Sequence, residues 1–228
     1  MRSSNIGLIR NESIIMKNLI IIGARGWGRE VYAAATSCAA YRRGEYVVKG
    51  FLDSNSHAFD DLQGTYPPIL GDVETYVIQP DDIFFVAMGE SQWRKHYAEL
   101  IEQKGGCFLT IICDDAVVNE NARIGEGSII SHWSFVSDNV SVGKHSIIHS
   151  SVIIGHDAQI GDYCSLESFV FVGGYAKIGD DSTMHVRSSL IRHKSIGSHV
   201  EVGAHSLITR NFKDNCNVFG NPARIMQW

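Results

Sequence analysis

The sequence predicts a small α/β domain with a parallel sheet, followed by a parallel β-helix of about five coils. Two observations support this fold class. Short apolar segments alternate with helical segments from residue 17 to about residue 112, and from residue 118 onward an aliphatic residue recurs at every sixth position. Alternating strands and helices favour a parallel sheet. A sequence period of six residues is typical of a prism-shaped β-helix.

The predicted N-terminal domain covers residues 17–114. Its strands are the segments NLIIIG, YVVKGFLDSN and DIFFVAMGES, and its helices are GWGREVYAAATSCAAYRRG and SQWRKHYAELIEQKGG. Each helical segment ends in glycine, which is a common stop signal. We therefore expect a Rossmann-like parallel sheet with right-handed crossovers. Residues 1–16 are interpreted as an extension before the domain; Met16 begins MKNLIIIG, so residues 1–15 are an upstream extension or a disordered tail.

The predicted β-helix covers residues 115–228. Its sixteen aliphatic positions follow one another without an insertion: Val118, Ile124, Ile130, Val136, Val142, Ile148, Ile154, Ile160, Leu166, Val172, Ile178, Met184, Leu190, Ile196, Val202 and Ile208. Eight of them precede a glycine, which we expect to ease the prism corners, where unusual backbone angles are needed. Three hexads make one coil, so sixteen hexads predict about five coils.

Composition excludes several classes of protein. The chain has 228 residues and a net charge of −5 without a basic block, so we expect no nucleic-acid partner. No apolar run approaches the ~20 residues that a membrane-spanning helix needs. The five cysteines are odd in number and contain no Cys-x-x-Cys pair, which favours reduced thiols in the cytoplasm.

Three segments together resemble a known family. The unbroken hexads with GHDAQIGDY, the glycine-rich LIIIGARGWGREV and the C-terminal VFGNPARIM are similar to the left-handed β-helix sugar acyltransferases. That family includes the sialic acid O-acetyltransferases and the UDP-4-amino-sugar N-acetyltransferases. The resemblance covers residues 17–228 and implies a left-handed prism, a homotrimer with active sites between subunits, and acetyl-CoA as acyl donor. It implies acetylation of a nucleotide-linked amino sugar for bacterial surface glycans.

His156 and Asp157 are the candidate catalytic residues. Judged by its position alone, a single histidine at a β-helix corner is more often a surface residue. The resemblance, however, implies that GHD carries the catalytic base, and imidazole suits this role because its ordinary pKa of about 6.5 lies near neutral pH. Asp157 is expected to orient the imidazole. Asp138, one coil earlier, is the alternative orienting carboxylate.

The candidate residues for acetyl-CoA are Ser165, Gly174, Val186 and Ala204. Gly173 and Gly174 are expected one coil beyond His156 and Asp157, where their N–H groups could stabilise an oxyanion, although a corner glycine explains Gly173 equally well. The resemblance implies the other three contacts. Ser165 is a departure, since relatives often carry histidine there.

The N-terminal domain is expected to bind the acceptor. GARGWG lies between a strand and a helix, where free N–H groups favour an anion. Its glycine spacing differs from G-x-G-x-x-G, so it does not predict a complete dinucleotide site. Asp53 follows the second strand and can accept hydrogen bonds from a base or ribose. The resemblance implies nucleotide-sugar contacts at Ala24, Arg25, Gly26, Asp53 and Gly89.

Other functions remain open at this point. A sialic acid or other sugar O-acetyltransferase would use the same histidine, and a non-catalytic β-helix binding protein is a further alternative. A zinc enzyme on the same prism is disfavoured because no two histidines stand five residues apart. The predicted mechanism requires no metal. No residue distinguishes amide from ester formation.

Overall fold

The computed structural model describes residues 16–226, so the interpretation of the N-terminal extension lies, apart from Met16, outside the described residues. The helices of this part are α1 (Gly26–Ser37), α2 (Ala39–Arg42) and α3 (Ser91–Gln103). None of them combines the length and hydrophobicity that crossing a lipid bilayer requires. The first three strands are β1 (Lys17–Ile22), β2 (Tyr46–Leu52) and β3 (Asp82–Val86).

These three strands form a parallel sheet in the order β2-β1-β3. The central strand β1 is buried from Leu19 to Ile22, as expected for a short apolar strand covered on both faces. The predicted small parallel sheet is therefore confirmed. The carboxyl ends of the three strands lie at one edge of the sheet. The residues that follow them, Gly23, Asp53 and Ala87, line the crevice described below.

The predicted single helix after the glycine-rich turn is wrong, because the structure divides it at Cys38. Cys38 has an extended backbone, with φ −72° and ψ 148°. Asp114 Oδ1 accepts a hydrogen bond from the Ala39 N–H at 2.8 Å, so a distant carboxylate caps α2. A side chain 75 residues away thus offers the backbone a partner that the local sequence does not reveal.

The second part of the chain is a three-sided prism of short strands. They are β4 (Ile111–Ile112), β5 (Val117–Val118), β6 (Arg123–Ile124), β7 (Ile129–Ile130), β8 (Phe135–Val136), β9 (Ser141–Val142), β10 (Ile147–Ile148), β11 (Ile153–Ile154), β12 (Gln159–Ile160), β13 (Ser165–Leu166), β14 (Phe171–Val172), β15 (Lys177–Ile178), β16 (Thr183–Met184), β17 (Ser189–Leu190), β18 (Ser195–Ile196), β19 (Val200–Val202), β20 (Leu207–Ile208), β21 (Cys216–Gly220) and β22 (Ala223–Met226).

The prism has three faces, each a parallel sheet of strands from successive coils, and a C-terminal hairpin of β21 and β22 extends one of them. The N-domain face contains β4, β7, β10, β13, β16, β19, β21 and β22. The apolar face contains β5, β8, β11, β14, β17 and β20, and the polar face contains β6, β9, β12, β15 and β18. Residues 18 apart pair between neighbouring coils, as Ile154 does with Val172.

The prism has about six coils, not the predicted five. The additional strand is β4, which pairs with β7 and places Ile112 one hexad before Val118. That hexad was hidden because its apolar residues continue directly from the N-terminal domain. Its inclusion raises the number of hexads to seventeen in phase.

The aliphatic residue of each hexad forms the prism core, as predicted. All fourteen such positions from Ile130 to Ile208 are less than 5% exposed. Full burial of one aliphatic side chain contributes about 1.5–3 kcal/mol. The stacked hexads therefore supply a continuous apolar core that runs the length of the prism.

The predicted role of the hexad glycines is wrong in one respect. The unusual backbone angles lie two residues later, at thirteen successive non-glycine positions with φ between 51° and 64°: Trp133, Asn139, His145, Ser151, Asp157, Tyr163, Phe169, Tyr175, Asp181, Arg187, His193, His199 and His205. The glycines are needed for close stacking of coils instead. A Cβ on Gly155 would lie 2.7 Å from Gly174 N, and one on Gly179 would lie 2.4 Å from Ser198 N.

Arg94 joins the N-terminal domain to the prism. Its side chain is completely buried. Its Nη1 donates to the carbonyl oxygens of Met88 and Gly89 at 2.7 and 2.8 Å, and its Nε donates to that of His145 at 2.7 Å. Its Nη2 donates to the Tyr163 carbonyl at 2.6 Å. Burial lowers the pKa of the guanidinium to about 10, so it is still charged at neutral pH.

His145 is buried beneath α3 and makes the stability of the fold pH-dependent. Its ring lies between Phe108 and Tyr163, and neither ring nitrogen has a hydrogen-bond partner in residues 16–226. Burial lowers its pKa to about 4, whereas an unfolded histidine has an ordinary pKa of about 6.5. The unfolded chain therefore binds more protons between these two values.

We expect the free energy of unfolding to be highest above about pH 6.5 and to fall as the pH drops toward 4, by at most ~1.4 kcal/mol per pH unit from this group. Urea unfolding of wild type and His145→Phe across this range measures the effect. The apolar ring should remove part of the dependence. An identical pH dependence in both proteins would contradict the assignment.

Candidate active site

His156 lies at the corner between the apolar face and the polar face, between β11 and β12. Its side chain is 55% exposed, and its Nδ1 lies 2.8 Å from Asp157 Oδ2. A carboxylate only accepts hydrogen bonds, so we assign the proton to Nδ1. His156 Nε2 is then the free basic nitrogen. The two residues thus form a histidine–carboxylate dyad with one nitrogen available for a proton.

Besides the imidazole, two contacts with the preceding coil hold Asp157. Its Oδ1 accepts from Asn139 Nδ2 at 2.6 Å, and its N–H donates to the Asp138 carbonyl at 3.0 Å. The hydrogen bond to His156, followed by that from Asn139, lowers the pKa of the Asp157 carboxyl. The alternative carboxylate, Asp138, accepts instead from Asn121 Nδ2 at 2.8 Å. The geometry thus places Asp157, and not Asp138, against the imidazole.

In the next coil, Gly174 and Tyr175 lie over His156 and Asp157. The sequence predicted Gly173 and Gly174 at these two places, so the predicted register was wrong by one residue. The Tyr175 N–H donates to the His156 carbonyl at 2.9 Å, and a Cβ on Gly174 would lie only 2.9 Å from His156 Nε2. Gly173 lies over Gly155 instead. The absence of a side chain at Gly174 leaves space above the basic nitrogen. The Tyr175 ring stands edge-on to His156 at 5.0 Å.

The other residues predicted to contact acetyl-CoA lie elsewhere on the prism. Val186 and Ala204 lie at the corner between the N-domain face and the apolar face, so the apolar face separates them from His156. Ser165 lies on the N-domain face and is 7% exposed. Its hydroxyl accepts from Arg94 Nη2 at 3.0 Å. Within a single chain, Ser165, Val186 and Ala204 therefore do not lie at the same site as Gly174.

A crevice of about 360 Å³ opens at the carboxyl ends of β1, β2 and β3. Its size suits a small-molecule ligand. Of the predicted acceptor-binding residues, Arg25, Asp53 and Gly89 line it. Carboxylates outnumber cations on its walls, which also include Asp72, Glu74 and Glu90. Such walls offer mainly hydrogen-bond acceptors, which suit the N–H and hydroxyl groups of a base or sugar.

The remaining two predicted residues support the wall of this crevice. The Ala24 N–H donates to Asp53 Oδ2 at 2.8 Å, and Asp53 Oδ1 accepts from the Asn55 N–H at 2.9 Å. Ala24 is buried, and Gly26 is the first residue of α1. Asp53 therefore fixes the glycine-rich turn as well as lining the crevice. Each of its oxygens keeps capacity for a further donor.

Two aromatic residues of the crevice were missed by sequence reasoning. Trp93, which is 50% exposed, and Tyr97 both line it from α3. Aromatic rings suit stacking against a nucleotide base. Their four-residue spacing places them on one side of the helix, which was the available signal. Nothing in the sequence indicates that this side faces the sheet edge.

Within residues 16–226, no group of three or more histidine, cysteine, aspartate or glutamate side chains is arranged to hold a metal ion.

Family comparisons match both parts of the chain. Residues 18–101 match the PglD N-terminal domain, and residues 109–207 match the GMPPB C-terminal domain. A UDP-N-acetylbacillosamine N-acetyltransferase of Bacillus subtilis is 29% identical over 116 residues. This alignment spans 50% of the present chain and 51% of the relative, so the chain spans about half the length of this curated relative.

Solved structures match over both domains. The acetyltransferase domain of PglB from Neisseria gonorrhoeae is 25% identical, with a TM-score of 0.81 over 92% of this chain and 100% of that domain. PerB from Caulobacter crescentus, solved with CoA and GDP-perosamine, shows the same fold at 23% identity, with a TM-score of 0.82 over 92% of this chain and 97% of PerB. In its PglD-type N-terminal domain and its β-helix, the chain is therefore similar over both parts to hexapeptide-repeat sugar acetyltransferases.

Proposed function

We propose that the protein is an acetyl-CoA-dependent N-acetyltransferase acting on a nucleotide-linked amino sugar of the UDP-4-amino-sugar type, for bacterial surface-glycan biosynthesis. The observation that carries this proposal is the His156–Asp157 dyad, with a free Nε2 beneath the open space at Gly174. The Bacillus relative is named for an amino-sugar nucleotide and an N-acetyl transfer. We place the reaction in the cytoplasm, where acetyl-CoA is available.

In the proposed reaction, the neutral amine of the sugar attacks the carbonyl carbon of the acetyl thioester. His156 Nε2 accepts the proton that the nitrogen loses as the C–N bond forms. The tetrahedral oxyanion then collapses, the C–S bond breaks, and the thiolate of CoA leaves. The imidazolium returns its proton to the sulfur, so amide and CoA are formed and His156 is neutral again.

Two neighbouring groups assist this base in the proposal. Asp157 holds Nδ1 and stabilises the imidazolium while it carries the proton. The Gly174 N–H has no backbone acceptor within the described residues, which supports its role as an oxyanion donor. Gly155 permits this arrangement because a side chain there would collide with Gly174 N.

The acceptor is proposed to bind in the N-terminal crevice. Arg25 and the N–H groups at the start of α1 offer contacts to a diphosphate. Trp93 offers a stacking surface for the base, and Asp53 offers acceptors for its N–H groups or for ribose hydroxyls. The amino sugar would then extend from the crevice toward a His156 imidazole.

A homotrimer with active sites between subunits is part of this proposal. The outward residues of four successive coils on the apolar face are Val117, Phe135, Ile153 and Phe171, each about 40–50% exposed. On the polar face the corresponding positions of β6, β9, β12 and β15 carry Arg123, Ser141, Gln159 and Lys177. An apolar stripe of this kind is typical of a protein interface.

The positions of the predicted donor contacts support the same assembly. His156 and Gly174 border one edge of the apolar face, and Val186 and Ala204 border the opposite edge. A ligand that touches both sets must lie where the corners of two protomers meet. Packing the apolar faces of three prisms together would bring such corners into contact.

We expect Phe135→Glu to dissociate this trimer, since each copy would bury an unpaired charge at the interface. Light scattering after size-exclusion chromatography should give about one third of the wild-type molar mass. Ser141→Glu places the same charge on the polar face in the same coil and should leave the molar mass unchanged. A monomeric wild-type protein, or a trimeric Phe135→Glu variant, would contradict the proposed interface.

The function is tested by thiol release from acetyl-CoA in the presence of candidate acceptors. The panel contains UDP-4-amino sugars, GDP- and dTDP-linked amino sugars, and sialic acid. Release with a nucleotide amino sugar, with an N-acetylated product by mass spectrometry, supports the proposal. Release only with sialic acid would instead establish the O-acetyltransferase alternative. No release together with no acetyl-CoA binding by calorimetry would favour the non-catalytic alternative.

A further inference from the structure

Four residues occupy equivalent positions at the corner that carries His156. They are Asn139, Asp157, Tyr175 and His193, spaced 18 residues apart, with φ between 56° and 60°. Only glycine, asparagine and aspartate adopt this left-handed conformation readily. Asn139 therefore fits its backbone position without strain, and its side-chain amide is available for a hydrogen bond.

The Asn139 amide completes the hydrogen bonding of the dyad. Its Nδ2 donates to Asp157 Oδ1 at 2.6 Å, while Asp157 Oδ2 faces His156 Nδ1 at 2.8 Å. Each carboxylate oxygen thus has its own partner, and the plane of the carboxylate is fixed from two sides. With the Asn139 donor removed, the carboxylate could rotate away, because its other main side-chain partner is an imidazole that is itself 55% exposed and Tyr175 contributes less.

We propose that Asn139 is a positioning residue, which acts on acetyl transfer through Asp157 by holding the carboxylate in the plane that orients His156. This inference rests on the proposed function, since it assigns Asn139 to the same dyad. A hydrogen bond to a charged group contributes enough to change a rate by roughly 10- to 100-fold. Asn139 lies 17 residues before His156 in the sequence and donates its hydrogen bond to Asp157, not to the imidazole.

Several polar and charged groups besides Asn139 lie near the dyad. The Asp138 carboxylate is already engaged by Asn121. On the side of His156, the Tyr175 ring stands edge-on to the imidazole, His193 stacks on Tyr175, and Arg192 lies beside His193. On the side of Asp157, Arg123 and Lys177 line the neighbouring groove. None of these is altered by a substitution of Asn139.

The first test removes the amide with Asn139→Gly, which keeps the left-handed corner. We expect kcat for acetyl transfer to fall by about 10-fold or more, with KM for both substrates changed by less than about 2-fold. The matched control is Asn121→Gly, one coil earlier, where the lost amide contacts Asp138. This control should retain wild-type kcat.

The second test is Asn139→Asp, which keeps the shape and replaces the donor with a negative charge. A nearby negative charge favours the imidazolium. The acidic limb of the kcat/KM profile should therefore move to higher pH, by roughly half a pH unit or more. An acidic limb that stays at its wild-type pH would contradict an electrostatic link between position 139 and the dyad.

NMR titration of the His156 imidazole separates this inference from the proposed function. The His156 resonance is identified by its loss in His156→Asn, and its titration midpoint should rise in Asn139→Asp but not in Asn121→Gly. If no acceptor releases thiol but the midpoint moves, the proposed reaction fails while Asn139 still controls the dyad. If the midpoint is unchanged in Asn139→Asp, or Asn139→Gly keeps wild-type kcat, the inference is overturned.

Discussion

Replacing His156 with asparagine is expected to lower kcat for acetyl transfer by about 10²- to 10⁴-fold, the usual contribution of a general base. The asparagine amide can still fill the corner, but it cannot accept the proton that the attacking nitrogen loses. KM for acetyl-CoA should change little, because the proton moves only as the transition state forms. Thiol release under saturating acceptor, compared between wild type and variant, measures the effect.

His199→Asn is the matched control for this prediction. His199 is an exposed corner histidine on the opposite side of the polar face, remote from the dyad. Its replacement should leave kcat within experimental error of wild type. If the His156→Asn variant retained most of the wild-type turnover, His156 would not be the base, and the dyad would be a surface feature.

Replacing Arg94 with methionine is expected to lower the free energy of unfolding by about 3–5 kcal/mol, the range found when one partner of a buried charged network is removed. Methionine can fill part of the volume, but it donates no hydrogen bond. The carbonyl oxygens of Met88, Gly89, His145 and Tyr163 would then be buried without their guanidinium donor. Denaturant unfolding followed by circular dichroism gives the change.

Lys95→Met is the control for this second prediction. Lys95 is the next residue on α3 and its side chain is exposed, so its loss should change the free energy of unfolding by less than about 0.5 kcal/mol. Arg94→Met should also raise KM for the acceptor, because the Met88 and Gly89 carbonyls that Arg94 holds belong to the edge of the crevice. Equal stability of the two variants would contradict the role given to Arg94.

The fold was predictable wherever a local pattern determines it. The hexads placed the inward residues of the prism correctly because a strand alternates its side chains and each coil repeats the same three strands. The break at Cys38 was not predictable, since it depends on the Asp114 carboxylate across a sequence separation of 75 residues. The first coil was missed because Ile112 continues an apolar segment that reads as part of the preceding domain.

The candidate site was predictable where its residues are adjacent in sequence or lie just beyond the carboxyl ends of predicted strands, as Arg25, Asp53 and Gly89 do in the crevice. His156 and Asp157 are neighbours, so the pair was visible in a single motif. Asn139 reaches the dyad because successive coils stack, and Arg94 reaches the edge of the crevice because α3 packs between the two domains. Neither contact is visible in the local sequence. The one-residue error at Gly174 arose because the register between coils was assigned from the glycine pair, whereas the 18-residue pairing places Tyr175 over Asp157.

Aromatic residues occupy several of the left-handed corners of the prism. Bulky residues adopt this conformation unwillingly, yet Trp133, Phe169 and Tyr175 do so with side chains 69%, 55% and 45% exposed. Neither backbone preference nor burial in the single chain accounts for these rings. Each ring therefore stands where local folding alone would favour asparagine or glycine. We therefore expect the aromatic corners, more than the asparagine and aspartate corners, to contact a neighbouring subunit or a ligand.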